Sequence, residues 1–250
     1  MLLVVDIGNS RTKFGVFDGE VLITKLSIPT IPDISSDVLI KTIGGRLSPP
    51  ITRAIVSSVV PEVNSAVSLF IETRFSVDAI FVKNDLDFGL TINYQPLDDA
   101  GADRLVNTFS AVEKYGAPCI VCSFGTALTI DVVSSDRVLT GGVIAPGLNT
   151  LAAALKLTTS RLPEVEIEKP DRVIQSNTVG CLQSGIVYGY FGLVDGLLTR
   201  LKKEISDDPK VIATGGFAAL VAENIEQVDI VDNDLMLDGL RRLFNRITAR

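Results

Sequence analysis

The amino-acid sequence predicts an α/β protein made of two similar halves, each a mixed sheet flanked by helices. Three observations lead there. Stretches with the two-residue period of strands alternate with stretches of helical period. A design of strand, Gly-containing turn, strand, turn, strand opens the chain and returns at an offset of 117 residues, with Asp6-Ile-Gly-Asn lying on Ser123-Phe-Gly-Thr. Finally, 250 residues that are 46% apolar and 21% charged have ordinary globular composition and suffice for one large domain or two half-size ones. The break is expected near Ala117, giving halves 1–116 and 117–250.

Taken in order, strand Leu2 to Asp6, the polar turn Gly8-Asn9-Ser10-Arg11, strand Thr12 to Phe17, turn Asp18-Gly19 and strand Val21 to Leu26 form an antiparallel meander. A helix around Asp37 to Leu47, strand Thr52 to Val59, helix Pro61 to Phe75 with Pro in its first turn, and strand Val77 to Val82 follow. After a loop carrying Tyr94 and Pro96, a helix from Gly101 to Tyr115 presents Leu105, Val106, Phe109 and Val112 on one face. The second half repeats the meander from Val121 to Ile144. It then supplies a long helix Asn177 to Glu204, strand Lys210 to Thr214 and a closing helix Asp234 to Arg250.

Composition removes several function classes. A net charge of −7 argues against nucleic acid as a partner, because phosphate-backbone binders concentrate Lys and Arg. Every apolar run is broken well short of the ~18 residues of a membrane span. Met1 to Val5 has no basic leader and reads as a buried strand, so a cytoplasmic protein is expected, in keeping with only three cysteines. Histidine is absent, which excludes Ser/His/Asp and Cys/His catalysis and His-based metal sites. Cys119 and Cys122 form a CxxC, but an odd offset within a strand puts them on opposite faces, as core residues. Catalysis would fall to carboxylates, Lys, Tyr, hydroxyls or a bound cation.

Four turns carry candidate chemistry. Asp6 at a strand end, followed by Gly8, Asn9 and Ser10 with Lys13 nearby, can present backbone N–H groups to a phosphate and a carboxylate to its magnesium; it can equally be a hairpin connector. Gly125-Thr126 stands at the matching place in the second half, so two phosphate-sized loops are expected to converge on one cleft. Thr214-Gly215-Gly216 precedes a helix and reads as a nucleotide contact or a plain strand-to-helix turn. Gly101-Ala102-Asp103-Arg104 opens a helix, where Asp103 is a dipole partner or, beside the Arg104 guanidinium, a base that accepts a hydroxyl proton.

Together with Phe124-Gly-Thr-Ala, Gly141-Gly-x-x-x-Pro-Gly, Asn177-Thr, Gln183-Ser-Gly and Asp234-Leu-Met-Leu-Asp-Gly-Leu, these motifs resemble type III pantothenate kinase over nearly the whole chain and in order. The resemblance implies a duplicated actin-like (ribonuclease H-like) ATPase fold. It also implies ATP-dependent phosphorylation of pantothenate, the first step toward coenzyme A, by a homodimer that uses Mg²⁺ and a monovalent cation, K⁺ or NH₄⁺. Carried over by position, Asp103 is the general base. Gly101, Ala102, Arg104 and Tyr94 bind the substrate, and Thr178 reaches it from the neighbouring subunit, placing that site near the subunit interface. Asp6, Gly8, Asn9, Ser10, Lys13, Gly125, Thr126, Gly215 and Gly216 belong to ATP, with Asp6 on its Mg²⁺.

One position departs from the pattern. The family usually carries Asp where this chain has Ser123, at the monovalent cation. A hydroxyl there removes a negative charge, so altered K⁺ dependence or slower turnover is expected. On the long helix, Gly185, Gly189, Gly192 and Gly196 share one face and suit a tight contact, with a second subunit or with the chain's own sheet. Two other readings stand beside the pantothenate kinase: a catalytically impaired nucleotide-binding relative with an accessory or regulatory role, and another sugar or small-alcohol kinase of the same fold.

Overall fold

Alternation along the first strand sets the architecture of the N-terminal part. In the computed structural model, which describes residues 1–47, 50–205 and 208–249, β1 (Leu2–Ile7) is buried on both faces. Its odd residues Leu3, Val5 and Ile7 join Phe14 and Val16 of β2 (Arg11–Asp18) and Val63, Val67, Phe70 and Ile71 of α2 (Pro61–Phe75) in one core cluster. Its even residues Leu2, Val4 and Asp6 point the other way. That face carries the closing helix α7 (Leu235–Thr248), whose Leu237 would meet a Cβ built on Gly15 of β2 at 3.3 Å.

The chain divides into two compact units, Met1–Lys114 with Asp234–Arg250, and Tyr115–Asn233. The closing helix, expected with the second half, packs on the first; its expected last residue, Arg250, lies outside the described residues. The reason is an apolar stripe of Leu235, Leu237, Leu240, Leu243 and Phe244, all buried, each worth roughly 1.5–3 kcal/mol against exposure. Asp238 adds ion pairs within the helix to Arg241 (2.7 Å) and Arg242 (2.8 Å) and one to Lys114 (3.5 Å).

In the first unit β3 (Val21–Pro29), β2, β1, β4 (Arg53–Ser58) and β5 (Ala79–Phe81) lie side by side in that order. β1 and β2 pair antiparallel, as do β2 and β3, while β4 runs parallel to β1 and β5 to β4. The expected helix 37–47 is shorter, α1 (Ser36–Leu39) running into a π turn at Ile40–Gly44 that ends at the Gly44-Gly45 pair. A short strand β6 (Thr91–Ile92) precedes α3 (Ala102–Tyr115), which buries Leu105, Val106, Phe109 and Val112 as its periodicity predicts.

The second unit repeats this topology. β7 (Cys119–Phe124) has β8 (Ala127–Val133) and then β9 (Val138–Pro146) antiparallel on one side, and β10 (Lys210–Gly215) and then β11 (Ile230–Val231) parallel on the other. Ile120, Cys122 and Phe124 pack against Ile186, Val187, Tyr190, Val194 and Leu198 of α5 (Thr178–Glu204). Cys119 is buried on the opposite face, and burial pushes its thiol up to about 12 and that of Cys122 higher still, so both are packing residues. Asn177 caps α5, its Oδ1 accepting from the Gly180 N–H at 2.8 Å. The sequence reading did not anticipate α4 (Leu148–Thr158), which Gly147 immediately precedes; the unit is completed by α6 (Ala218–Ala222).

Candidate active site

The first unit brings together Asp6, Lys13, Asp103, Arg104 and Tyr94. Asp6 and Lys13 face each other across the β1–β2 ladder, so their side chains project to the same side, and Lys13 Nζ lies 3.3 Å from Asp6 Oδ2. The turn between the strands is held from below: Gly8 donates its N–H to the Arg11 carbonyl (3.1 Å), and Thr30 at the end of β3 donates its hydroxyl to the Gly8 carbonyl (2.7 Å) and its N–H to the Ser10 carbonyl (3.0 Å). Asn9 and Ser10 are left at the exposed tip. Burial pushes the Asp6 carboxyl above its usual range, Lys13 pulls it back, and the neighbouring charge of Asp103 adds to the rise.

Asp103 is held by the start of α3. The Gly101 carbonyl accepts the first helical bonds, from the N–H groups of Arg104 (3.0 Å) and Leu105 (3.2 Å). The Asp103 carboxylate folds back to accept the Arg104 N–H at 2.9 Å, lying so close over Gly101 that a Cβ there would stand 2.6 Å from Asp103 Oδ1. Burial pushes this carboxyl up as well, against hydrogen bonds and charge from Arg104 and the charge of Lys13. A carboxylate raised in this way suits a general base, whose efficiency grows as its pKa approaches working pH. Arg104 is buried, donates from Nη1 to the Tyr94 hydroxyl (3.0 Å), and sets its guanidinium carbon 5.0 Å from the centre of that ring. Ala102 is buried beside them.

In the second unit Ser123, Gly125, Thr126, Gly215 and Gly216 gather at one end of the sheet. Ladder register puts Thr214 opposite Ser123 and Gly215 opposite Phe124. Gly215 has φ +98°, and a Cβ on it would lie 2.6–2.9 Å from the Phe124 backbone, so only glycine lets the two turns touch. Gly147 closes the same end: its N–H bonds the Thr126 carbonyl at 3.0 Å, and a Cβ would strike the carbonyls of Gly125 and Thr126. The Thr150 hydroxyl donates to that Thr126 carbonyl at 2.6 Å. Backbone therefore approaches backbone with no side chain between, leaving N–H groups and the start of α4 beside an exposed Gly125-Thr126 tip, a shape suited to an anion. Thr178 is exposed at the start of α5.

Sequence reasoning missed the residues that hold these loops. Thr30 follows β3, distant along the chain from the turn it fastens. Asn84 secures the approach to α3 by donating to the carbonyls of Leu97 and Ala100, both at 2.8 Å. Gly147 stood in a quoted motif, though its contact with the Gly125 turn did not show there. Ser57 and Asn107, which neighbour the two carboxylates, had no local signal.

Known proteins bear on this arrangement. The family model for type III pantothenate kinase matches residues 2–200. Curated relatives named type III pantothenate kinase include those of Koribacter versatilis, 40% identical over 98% of this chain and 96% of that one, and Halalkalibacterium halodurans, 37% identical over 98% and 99%. Among solved structures, the inorganic polyphosphate/ATP-glucomannokinase of Arthrobacter sp. strain KM superposes with a TM-score of 0.51 at 13% identity over 98% of each chain. Component A of the (R)-2-hydroxyglutaryl-CoA dehydratase of Acidaminococcus fermentans gives 0.54 at 15% identity over 96% of this chain and 94% of that one. These similarities, with the repeated topology of the two units, show the actin-like ATPase fold. Matched at this identity over almost its full length, the chain belongs to the type III pantothenate kinase family.

Proposed function

We propose that this chain transfers the γ-phosphoryl group of ATP to the hydroxyl of pantothenate, giving 4′-phosphopantothenate, the first committed compound on the way to coenzyme A. The observation that carries this reading is Asp103, a half-buried carboxylate of raised basicity set by the first turn of α3 within electrostatic reach of Asp6. Asp103 takes the proton of the attacking hydroxyl. Arg104 and Tyr94, with the backbone of Gly101 and Ala102, hold the substrate, the guanidinium matching a carboxylate such as that of pantothenate.

Phosphoryl transfer asks the protein for positioning and charge neutralisation rather than covalent chemistry. Lys13 and the Gly8-Asn9-Ser10 turn answer for phosphate oxygens. Gly125, Thr126, Gly215 and Gly216 are assigned to the nucleotide. The residues fit a divalent cation at Asp6, since a buried carboxylate paired with Lys13 at 3.3 Å gains from a second positive charge. Bound there, Mg²⁺ would neutralise charge on the triphosphate.

The finer assignments belong to the same proposal. A monovalent cation, K⁺ or NH₄⁺, sits near Ser123, where the hydroxyl replaces the family's carboxylate. The enzyme is cytoplasmic; among the described residues no helix is long and apolar enough to cross a membrane. It works as a homodimer, with Thr178 reaching the partner's substrate. Gly185, Gly189 and Gly192 support this, being exposed on α5 with open space where a Cβ would stand, on the same helix as half-exposed Val179.

The deciding experiment is ADP release from ATP and Mg²⁺ with and without pantothenate, in K⁺, NH₄⁺ and Na⁺. Pantothenate-dependent turnover is expected. Folded protein that binds ATP yet turns nothing over in any buffer would overturn the reading, and a monomer in light scattering would remove the dimer.

A further inference from the structure

Two buried polar side-chain oxygens beside the carboxylates have no hydrogen-bond partner among the described residues. Ser57 on β4 is fully buried, Asn107 on α3 is 7% exposed, and neither Ser57 Oγ nor Asn107 Oδ1 has a hydrogen-bond partner. Leaving such a group unpaired is costly, so it calls for a physical reason. Their placement supplies one. Ser57 stands directly opposite Asp6 in the parallel β1–β4 ladder, and paired residues project to the same face of a sheet. Lys13 is opposite Asp6 on the other side, so Lys13, Asp6 and Ser57 form one polar row at the edge of an otherwise apolar face that includes Val4. Asn107 follows Asp103 by four residues, one helical turn, and shares its side of α3.

We propose that Ser57 and Asn107 are outer-sphere oxygen ligands of the divalent cation held at Asp6, each accepting a hydrogen bond from a water on the ion. This rests on the nucleotide reading above. Mg²⁺ keeps several of its waters when protein-bound, and their hydrogens point outward, needing acceptors. A hydroxyl and an amide oxygen beside two carboxylates provide acceptors without adding negative charge to a site that already holds two. Ser57 and Asn107 are positioning residues, acting through the hydrated ion.

A second buried hydroxyl serves as the control. Ser110 Oγ is likewise buried and without a hydrogen-bond partner among the described residues, but it lies two turns from Asp103, where α3 meets Gly239 of α7: a Cβ on Gly239 would stand 2.8 Å from Ser110 Cβ. Ser110→Ala removes the same kind of group at a place with no ion.

The test uses full-length protein and Mn²⁺, counting free Mn²⁺ by electron paramagnetic resonance in the presence of a non-hydrolysable ATP analogue, together with thermal melts free of metal and nucleotide. Ser57→Ala and Asn107→Leu are each expected to weaken Mn²⁺ binding about 10-fold or more, the usual cost of losing a residue that orients a metal's ligands. Their metal-free melting temperatures should hold or rise, since an unpaired buried polar group has gone. Ser110→Ala should leave Mn²⁺ binding unchanged. Asn107→Asp keeps an oxygen and adds charge, and should tighten it. Should Asn107→Leu fail to fold, Ser57→Ala and Asn107→Asp decide the matter. Mn²⁺ affinities within twofold of wild type in Ser57→Ala and Asn107→Asp would overturn the inference and leave the kinase reading standing. Wild-type protein that binds no Mn²⁺ with the nucleotide analogue would overturn both.

Discussion

Replacing Gly101 by Ala tests how the proposed base, the Asp103 carboxylate, is aimed without altering its chemistry. The added Cβ would lie 2.6 Å from Asp103 Oδ1, short of the ~3.4 Å of ordinary contact by about 0.8 Å. Oδ1 ends a short side chain, so the carboxylate can rotate away, and the fold should survive. Retreat moves the base by nearly the ~1 Å that can cost about 100-fold in a positioned reaction, or roughly 2.7 kcal/mol at 1.36 kcal/mol per tenfold. We expect kcat to fall by about 10- to 100-fold, with a smaller change in KM for pantothenate and a melting temperature within a few degrees of wild type. Steady-state assays of ADP release, with circular dichroism melts, read both quantities. A kcat within twofold of wild type would refute the argument that Gly101 sets the Asp103 rotamer; a rise in KM with kcat intact would show that Gly101 acts through substrate binding instead.

Four more predictions concern charge. Asp103→Asn should lower kcat by about 10²- to 10⁴-fold with folding intact, as expected for loss of a general base, and retained turnover would place the base elsewhere. Because burial raises the Asp103 carboxyl and the base acts deprotonated, the acid limb of kcat/KM should lie above the ordinary carboxylate range; a limb at or below about pH 4 would contradict that. Ser123→Asp should change the monovalent cation requirement or raise kcat, measured as the K⁺ concentration at half-maximal rate, and no change in either would remove Ser123 from the cation site. For Asp238, burial pushes its carboxyl up but the hydrogen bonds and charges of Arg242 and Arg241 outweigh it, so it is held below the usual range. Its contribution is therefore present above about pH 4 and lost as pH falls through the lowered value. Asp238→Asn should cost on the order of 3 kcal/mol at neutral pH, in urea titrations, and flatten the acid loss of stability; equal acid sensitivity in both proteins would exclude this carboxylate as the cause.

What the sequence determined by itself is what short-range chemistry decides. The placing of β1 to within a residue of its end at Ile7, the Gly8-Asn9-Ser10 turn, the start of α3 just after Gly101 and the long span of α5 follow from two- and 3.6-residue periods and turn residues. The repeat at 117 residues anticipated the matching strand topologies, because each meander encodes its own pairing through local turns. Tertiary structure alone decided the rest. Nothing local in α7 says which unit its apolar stripe will cover, and the face of β1 opposite α2 decided it by offering Val4 and Gly15 as a seat for Leu237. The grip of Thr30 on Gly8, of Asn84 on the entry to α3, and of Gly147 on Gly125 each joins residues distant along the chain, where spacing carries no signal. Ser57 is the clearest instance: in the sequence it is one polar residue at the end of an apolar strand, and only the pairing of β4 with β1 puts it beside Asp6, unpartnered and buried. Pairing between strands is chosen by burial summed over the whole sheet, and no window of the sequence contains that sum.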